Sequence, residues 1–356
     1  MSVVLMKGNE AIGEAAIIAG CRFYFGYPIT PQNEIPEYMA RELPKVGGTY
    51  VQAESEVAAI NMVYGAAGAG ARVLTSSSSP GISLMQEGIS YIAGAELPCV
   101  LVNIMRAGPG LGGVQPAQAD YFQATKGGGH GDYRVLVLAP ANLQEAVDLT
   151  QLAFDLADKY RNPVMVLADG MIGQLMEPVE LSPYHPACAL PPKDWATTGT
   201  GESGGRRRII NSLYLYPDEL ENHVRAIYQK YAEMERTEVR FELCHCDDAD
   251  VVIVAYGTTS RIARSAIEKC RRLGLRVGLL RPITLYPFPL AAFDRVLDRA
   301  RAVLVVEMSM GQMLDDVKIA VAGRRPISFY GRTGGIVPTP AEIVKQVQAL
   351  LGAGVS

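Results

Sequence analysis

Cysteine is sparse in this chain. Six occur, at Cys21, Cys99, Cys188, Cys244, Cys246 and Cys270, and none forms a Cys-x-x-Cys motif. Iron–sulfur clusters held by thiolates show closely spaced cysteines, so no cluster is expected within this chain. Cys244-His245-Cys246 is the one compact group of soft ligands. It lacks a second pair at zinc-finger spacing and reads as structural, the default for reduced cysteines. No apolar run approaches the ~20 residues needed to cross a bilayer. The opening MSVVLMKGNE lacks the charged-then-apolar order of a signal peptide, and a cytoplasmic location is expected. Excess positive charge is missing too. The formal net charge is −4, which gives no general attraction to nucleic acid or to an anionic membrane. The densest basic run, Arg206-Arg207-Arg208, sits in a Gly/Ser-rich stretch and reads as a solvated loop. No dinucleotide fingerprint follows a strand, since Gly65 to Gly70 reads as a helix end.

Apolar residues are abundant, at 49% against 20% charged. That balance suits buried parallel strands, which read as near-continuous apolar runs. Six apolar segments alternate with helical patterns in the first half: 22–26, 49–53, 73–75, 99–104, 135–138 and 163–167. Such alternation implies a doubly wound parallel sheet. Asn9 is placed to cap a first helix ending at Gly20, and Pro31 to open a second. Further helices are expected over 56–70, from Gly81, and over 142–160. Residues 182–206 are rich in Pro, Gly, Ser and Thr and read as an irregular connection. A helix over 217–236 bridges to a second α/β unit that begins at Asp250. The expected domains are 1–180, a linker over 181–248, and 249–356.

Candidate chemistry gathers where strands of the first unit end. Tyr27-Pro28-Ile29-Thr30-Pro31 is a stiff turn presenting one hydroxyl, because proline fixes its own φ and restricts the residue before it. Glu54, Ser55 and Glu56 open a helix, where the helix dipole favours a carboxylate. That helix carries the compact residues Ala58, Ala59, Gly65, Ala66 and Ala67, which let it approach a neighbour closely. Ser76-Ser77-Ser78-Ser79-Pro80-Gly81 offers hydroxyls and free N–H groups. Arg106 precedes the Gly-rich 108–113 loop and can clamp a carboxylate. Gln115, Gln118 and Asp120 add polar groups. His130, in a second Gly-rich loop, is one of four histidines and reads as structural. Ligands of open α/β sheets bind at the carboxyl ends of strands, so this convergence supports a site for a small anion without fixing a reaction.

The motifs carry a resemblance. Tyr-Pro-Ile-Thr-Pro at 27–31, Gln-x-Glu-Ser-Glu at 52–56, Thr-Ser-Ser-Ser-Ser-Pro-Gly at 75–81 and Met-Arg-x-Gly-Pro-Gly at 105–110 follow the order and spacing of the 2-oxoacid:ferredoxin oxidoreductases. The whole chain resembles their alpha subunit, nearest to the branched-chain (3-methyl-2-oxobutanoate) type, with the 2-oxoglutarate type close by. Glu307-x-x-x-Gly311-Gln312 and Gly331-Arg332-x-Gly334-Gly335 are the recognisable pieces of the second half. The resemblance implies a pyrimidine-type thiamine-diphosphate-binding doubly wound parallel sheet, followed by a transketolase C-terminal-like α/β domain. It implies oxidative decarboxylation of a 2-oxoacid to an acyl-coenzyme A, with electrons passed to ferredoxin. It assigns Glu56 to the cofactor's aminopyrimidine N1′, where a shared proton relays general acid–base catalysis. Thr30 and Arg106 are assigned to the substrate, and Pro28, Ile29, Ser78 and Ser79 to the cofactor. The diphosphate's metal usually needs a Gly-Asp-Gly loop and a following Asn. Ala168-Asp169-Gly170 is the nearest phrase, and the next asparagine is Asn211. No metal ligand is therefore expected here. The beta subunit is implied to hold the diphosphate, Mg²⁺ and a cluster, and gamma and delta subunits to complete the complex. A non-catalytic anion-binding protein and a transketolase-like enzyme are the competing readings.

Overall fold

The computed structural model describes residues 2–200, 205 and 207–352. Arg206 and part of the 182–206 segment lie outside them. The first half runs β1 (Ser2–Lys7), α1 (Gly8–Ile18), β2 (Phe23–Gly26), α2 (Glu34–Glu42), β3 (Thr49–Gln52), α3 (Glu56–Gly68), β4 (Val73–Ser77) and α4 (Ser79–Gly94). It continues through β5 (Cys99–Met105), α5 (Tyr121–Thr125), β6 (Leu136–Leu138), α6 (Leu143–Tyr160), β7 (Pro163–Asp169), α7 (Gly170–Gln174) and β8 (Met176–Leu181). Then follow α8 (Pro217–Thr237), β9 (Phe241–Cys244), β10 (Val251–Val254), α9 (Gly257–Arg272), β11 (Val277–Pro282) and β12 (Thr284–Tyr286). The chain closes with α10 (Asp294–Leu297), β13 (Ala302–Glu307), α11 (Met313–Val321), β14 (Ile327–Gly331) and α12 (Pro340–Gly352).

The six expected strands form one parallel sheet in the order β6-β7-β5-β4-β2-β3, with β12 added antiparallel to β6 at the edge. Strand order reverses at β2, whose neighbours β3 and β4 lie on opposite sides. The crevice beyond β2 and β4 is thus the switch point where such sheets take ligands. The second sheet, β14-β13-β10-β11-β9, is parallel except for β9. β1 and β8 form a separate antiparallel ribbon. One core cluster lies on the α3/α4 face of the first sheet and runs on into the second unit through Tyr256, Leu280 and Phe293. Another fills the α1/α2/α6 face.

Several local expectations change. α2 starts at Glu34, not Pro31. Residues 27–33 instead form a turn closed by Gln32 N–H to Ile29 O, with the Gln32 side chain buried beneath it. α1 starts at Gly8, so Asn9 is not its cap. Asn9 is buried inside the first turn and donates to Pro31 O at 2.8 Å and to Glu34 Oε2 at 2.7 Å, which ties α1 to that turn. α4 opens at Ser79 rather than Gly81. The close approach of α3 to α4 depends on the glycines of α4. An added Cβ at Gly88 would lie 2.5 Å from Ile60 Cγ2, whereas one at Gly65 meets nothing within 4 Å. On α8 the apolar stripe is covered at Ile227 and Tyr231 but exposed at Leu220 and Tyr228.

Candidate active site

Side chains alternate along a strand, and β4 sorts its hydroxyls by that rule. Ser76 points with Leu74 toward α1 and α2. Its Oγ donates to Gln32 Oε1 at 2.6 Å and meets Tyr24 Oη at 2.7 Å, which anchors the Tyr27–Pro31 turn on the strand. Thr75 and Ser77 share the opposite face with Val73, beneath α3 and α4. Both hydroxyls are fully buried and have no hydrogen-bond partner among the described residues, and the same holds for Ser78 Oγ. Glu56 lies over this face at the first position of α3. Ser55 caps the helix by accepting from Ala58 N–H at 3.2 Å. Glu56 is 5% exposed, and its carboxylate accepts no hydrogen bond among the described residues. It rests against Gly81.

Arg106 leaves β5 on the other side. Its guanidinium donates to Thr30 O at 3.1 Å and to Leu111 O at 3.3 Å, so the structure brings Thr30 and Arg106 together. The residue is buried, Nε has no partner, and no carboxylate pairs with it among the described residues. The 107–113 loop folds back over the arginine through Gly113 N–H to Ala107 O, and Ala107 N–H to Gln115 O. Gly112 sits at φ +61° with Ala107 O 1.9 Å from where a Cβ would be, a position open to glycine alone.

The first turn of α4 joins the two halves of the site. Ser79 Oγ accepts from Arg106 N–H at 3.0 Å and donates to Asp120 Oδ2 at 2.5 Å. Asn103 Nδ2 donates to the same Asp120 oxygen at 3.0 Å. Burial holds the Asp120 carboxyl above the usual range against these two hydrogen bonds. Ser79 is thus committed within the chain, while Ser78 stays unpartnered. Pro28 and Thr30 are exposed at the turn and Ile29 is half-buried. A cleft of about 620 Å³ opens beside Thr30, lined by Asn33, Glu34, Val114, Met171 and Val337 among others.

Other residues that the sequence singles out make bonds within the fold. Asp169 caps α7 through Met171 and Ile172 N–H and accepts from Thr258 Oγ1 at 2.9 Å. Gln118 is fully buried and bonds Tyr256 O, Thr259 Oγ1 and Met308 N–H of the second unit. Glu307 caps α11. Cys246 donates to Leu279 O, and no group of three or more His, Cys, Asp or Glu among the described residues is placed to hold a metal ion. Thr75 and Ser77 lie within the 75–81 motif, but the resemblance assigned neither of them a role. Counting parity along β4 from the apolar Val73 separates them from Ser76.

Residues 14–241 match the family described as "Pyruvate flavodoxin/ferredoxin oxidoreductase, thiamine diP-bdg", and residues 249–343 match "Pyruvate:ferredoxin oxidoreductase core domain II". The chain is 50% identical to the ketoisovalerate oxidoreductase subunit VorB of Methanothermobacter thermautotrophicus, over 99% of each chain. It is 39% identical to the 2-oxoglutarate synthase subunit KorA of Methanocaldococcus jannaschii, over 98% of this chain and all of that one. Among solved structures it resembles the 2-oxoglutarate:ferredoxin oxidoreductase from Magnetococcus marinus, with a TM-score of 0.87 and 30% identity. That likeness covers 98% of this chain and 65% of the other. No helix among the described residues is long and apolar enough to cross a membrane. A carboxylate, a row of orphan hydroxyls and an unpaired arginine at the switch point of a doubly wound sheet thus sit in a chain that belongs to the 2-oxoacid:ferredoxin oxidoreductase family, as a subunit of the alpha type.

Proposed function

We propose that this chain supplies the aminopyrimidine and substrate side of a thiamine diphosphate site that oxidatively decarboxylates 3-methyl-2-oxobutanoate to its acyl-coenzyme A, with ferredoxin as electron acceptor. The observation that carries the reading is Arg106. It is a buried guanidinium held by two carbonyl oxygens, with no counter-charge among the described residues. An unpaired buried cation costs several kcal/mol, and a ligand carboxylate relieves that cost. Arg106 therefore binds the 2-oxoacid carboxylate, and the Thr30 hydroxyl lies on the same turn to orient it.

The residues present fit the cofactor's ring. Glu56 is buried and free of hydrogen-bond partners among the described residues, beside the orphan hydroxyls of Thr75, Ser77 and Ser78, so these polar atoms match a polar heterocycle. When bound, thiamine diphosphate would supply a carbon nucleophile for the 2-oxo group and an electron sink for decarboxylation. Glu56 holds the proton at N1′, Ser78 with Pro28 and Ile29 lines the ring, and Ser79 fixes Arg106. The diphosphate, its Mg²⁺ and the iron–sulfur clusters are assigned to partner subunits, the beta subunit first, with gamma and delta completing the complex. Asp169, the nearest acidic candidate, is already engaged by two backbone N–H groups and Thr258. Residues 1–180 form the thiamine domain in this reading, 181–248 the connection and 249–356 the transketolase C-terminal-like domain.

Branched-chain preference draws support from the cleft beside Thr30. Its lining offers apolar Val114, Met171 and Val337, one carboxylate in Glu34, and no lysine or arginine to meet a second substrate carboxylate. The test is to purify the chain with its partner subunits and follow coenzyme A-dependent acceptor reduction. We expect kcat/KM for 3-methyl-2-oxobutanoate to exceed that for 2-oxoglutarate by at least about tenfold, a difference of about 1.4 kcal/mol. The reverse order would move the assignment to the 2-oxoglutarate type. Full turnover by the isolated chain would overturn the shared-site reading altogether.

A further inference from the structure

Gly81 is the most crowded glycine of α4. A Cβ there would lie 2.0 Å from Ser77 Oγ and 2.4 Å from Glu56 Oε1. Both oxygens therefore press on the same point above the glycine, and Ser77 Oγ has no hydrogen-bond partner among the described residues. Ser77 is fully buried and Glu56 nearly so. A buried hydroxyl without a partner costs about 1–3 kcal/mol, so the free chain carries a penalty at Ser77 that its own fold does not relieve. Parity along β4 explains why this serine is the one involved. Ser76 points to the opposite face and is saturated by Tyr24 and Gln32, and Ser79 is saturated by Asp120 and Arg106. One turn along α3 and about two along α4 the geometry recurs with apolar partners, Ile60 filling the space over Gly88 as Glu56 fills the space over Gly81.

We propose that Ser77 is the positioning residue of Glu56, and that Gly81 forms the recess holding the two together. The Ser77 hydroxyl gains its hydrogen bond within the Glu56–ligand assembly when the aminopyrimidine engages the carboxylate, so its burial penalty is released on binding. This rests on the assignment of Glu56 to the thiamine ring. A merely structural serine would stabilise the empty protein, whereas this one destabilises it slightly and strengthens ligand binding.

The test uses the complex of this chain with its partner subunits, stripped of cofactor and titrated with thiamine diphosphate and Mg²⁺. Ser77→Ala is expected to raise Kd about 5- to 10-fold, one hydrogen bond's worth. The melting temperature of the stripped complex is expected to stay level or rise. Glu56→Gln reports on the underlying assignment. If Glu56→Gln weakens binding and Ser77→Ala does not, the Ser77 proposal falls and the Glu56 assignment stands. If neither changes Kd, the Glu56 assignment falls as well. A Ser77→Ala complex that binds weakly because the stripped protein melts several degrees lower makes Ser77 structural and overturns the proposal. Gly81→Ala must displace both oxygens and is expected to weaken binding at least as much as Ser77→Ala. Wild-type affinity in that variant would remove the recess from the account.

Discussion

Arg106 is held by geometry that a lysine cannot copy. Its two terminal nitrogens reach carbonyls on different segments, Thr30 and Leu111, so the fork joins the Tyr27–Pro31 turn to the Gly-rich loop while its charge stays free for a ligand. Arg106→Lys keeps the charge but bonds one segment at most. We expect KM for the 2-oxoacid to rise by one to two orders of magnitude, about 1.4–2.8 kcal/mol, with kcat falling less. Arg106→Ala should lose more, and in kcat/KM chiefly. An Arg106→Lys complex with wild-type KM would remove the carboxylate assignment. Arg106 was legible in the sequence because an arginine directly after an apolar strand and before a glycine run has few structural uses. Its neighbours were less so. Four consecutive serines look alike in a sequence, yet Ser76 braces a turn, Ser77 and Ser78 have no partner among the described residues, and Ser79 accepts from Arg106 N–H while donating to Asp120. Strand parity and the partner elements decide among them, and the partners lie tens of residues away.

Elements were legible where burial on both faces makes a strand an unbroken apolar run, as in β5 and β7, or where a helix is long and stripe-patterned, as in α6 and α9. The pieces that escaped are short and owe their pairing to distant chain. β12 adds three residues to the first sheet from beyond residue 280, β9 joins the second sheet from inside the expected linker, and β1 pairs with β8 across the whole first unit. The end of α8 shows how such connections are fastened. Glu238 is the C-cap residue of α8, and its carboxylate receives Lys159 Nζ and Tyr160 Oη at 2.6 Å each, and Arg240 at 2.9 Å. Burial works to raise its carboxyl. The bonds from Lys159, Tyr160 and Arg240 outweigh burial and hold it down at about 2. A carboxyl depressed in the folded state adds stability above its unfolded pKa of about 4.3 and loses it as pH falls toward the folded value. The attachment of α8 to α6 should therefore weaken between about pH 4.5 and pH 2. After allowance for screening, Glu238→Gln should cost roughly 1–2 kcal/mol at neutral pH and flatten the acid limb of the melting curve. An unchanged acid limb would show that the cluster adds nothing to that attachment.

At the scale of the whole molecule, the second unit grips the segment that carries the site. Gln118 exchanges backbone bonds with Met308 and Tyr256 and receives Thr259, all while fully buried. Gln312 bonds Ala119 O and Phe122 N–H, Asp316 takes Tyr121 and Lys126, and Gly335 packs where a Cβ would meet Gln115 Cβ at 2.3 Å. Residues 115–126 are thus clamped along their length, and Arg106 pairs with Pro116 at their start. Gln312 and Gly335, from the recognisable motifs of the second half, hold this segment, and Gly335 also lines the cleft beside Thr30. Sequence alone placed them in a separate unit because nothing in a one-dimensional pattern says that two sheets share one core. Gln118→Ala tests the clamp. Truncation strands Tyr256 O and Met308 N–H without their partner, at a cost of about 2–4 kcal/mol. We expect a lower melting temperature and faster amide exchange across residues 106–126, together with a raised KM for the 2-oxoacid from a residue that contacts no substrate. Thiamine diphosphate affinity, which the proposed function assigns on this chain to Glu56 and its neighbours, should change little. If exchange speeds up across 106–126 while KM stays at its wild-type value, the clamp serves stability alone and Arg106 holds its position without help from the second unit.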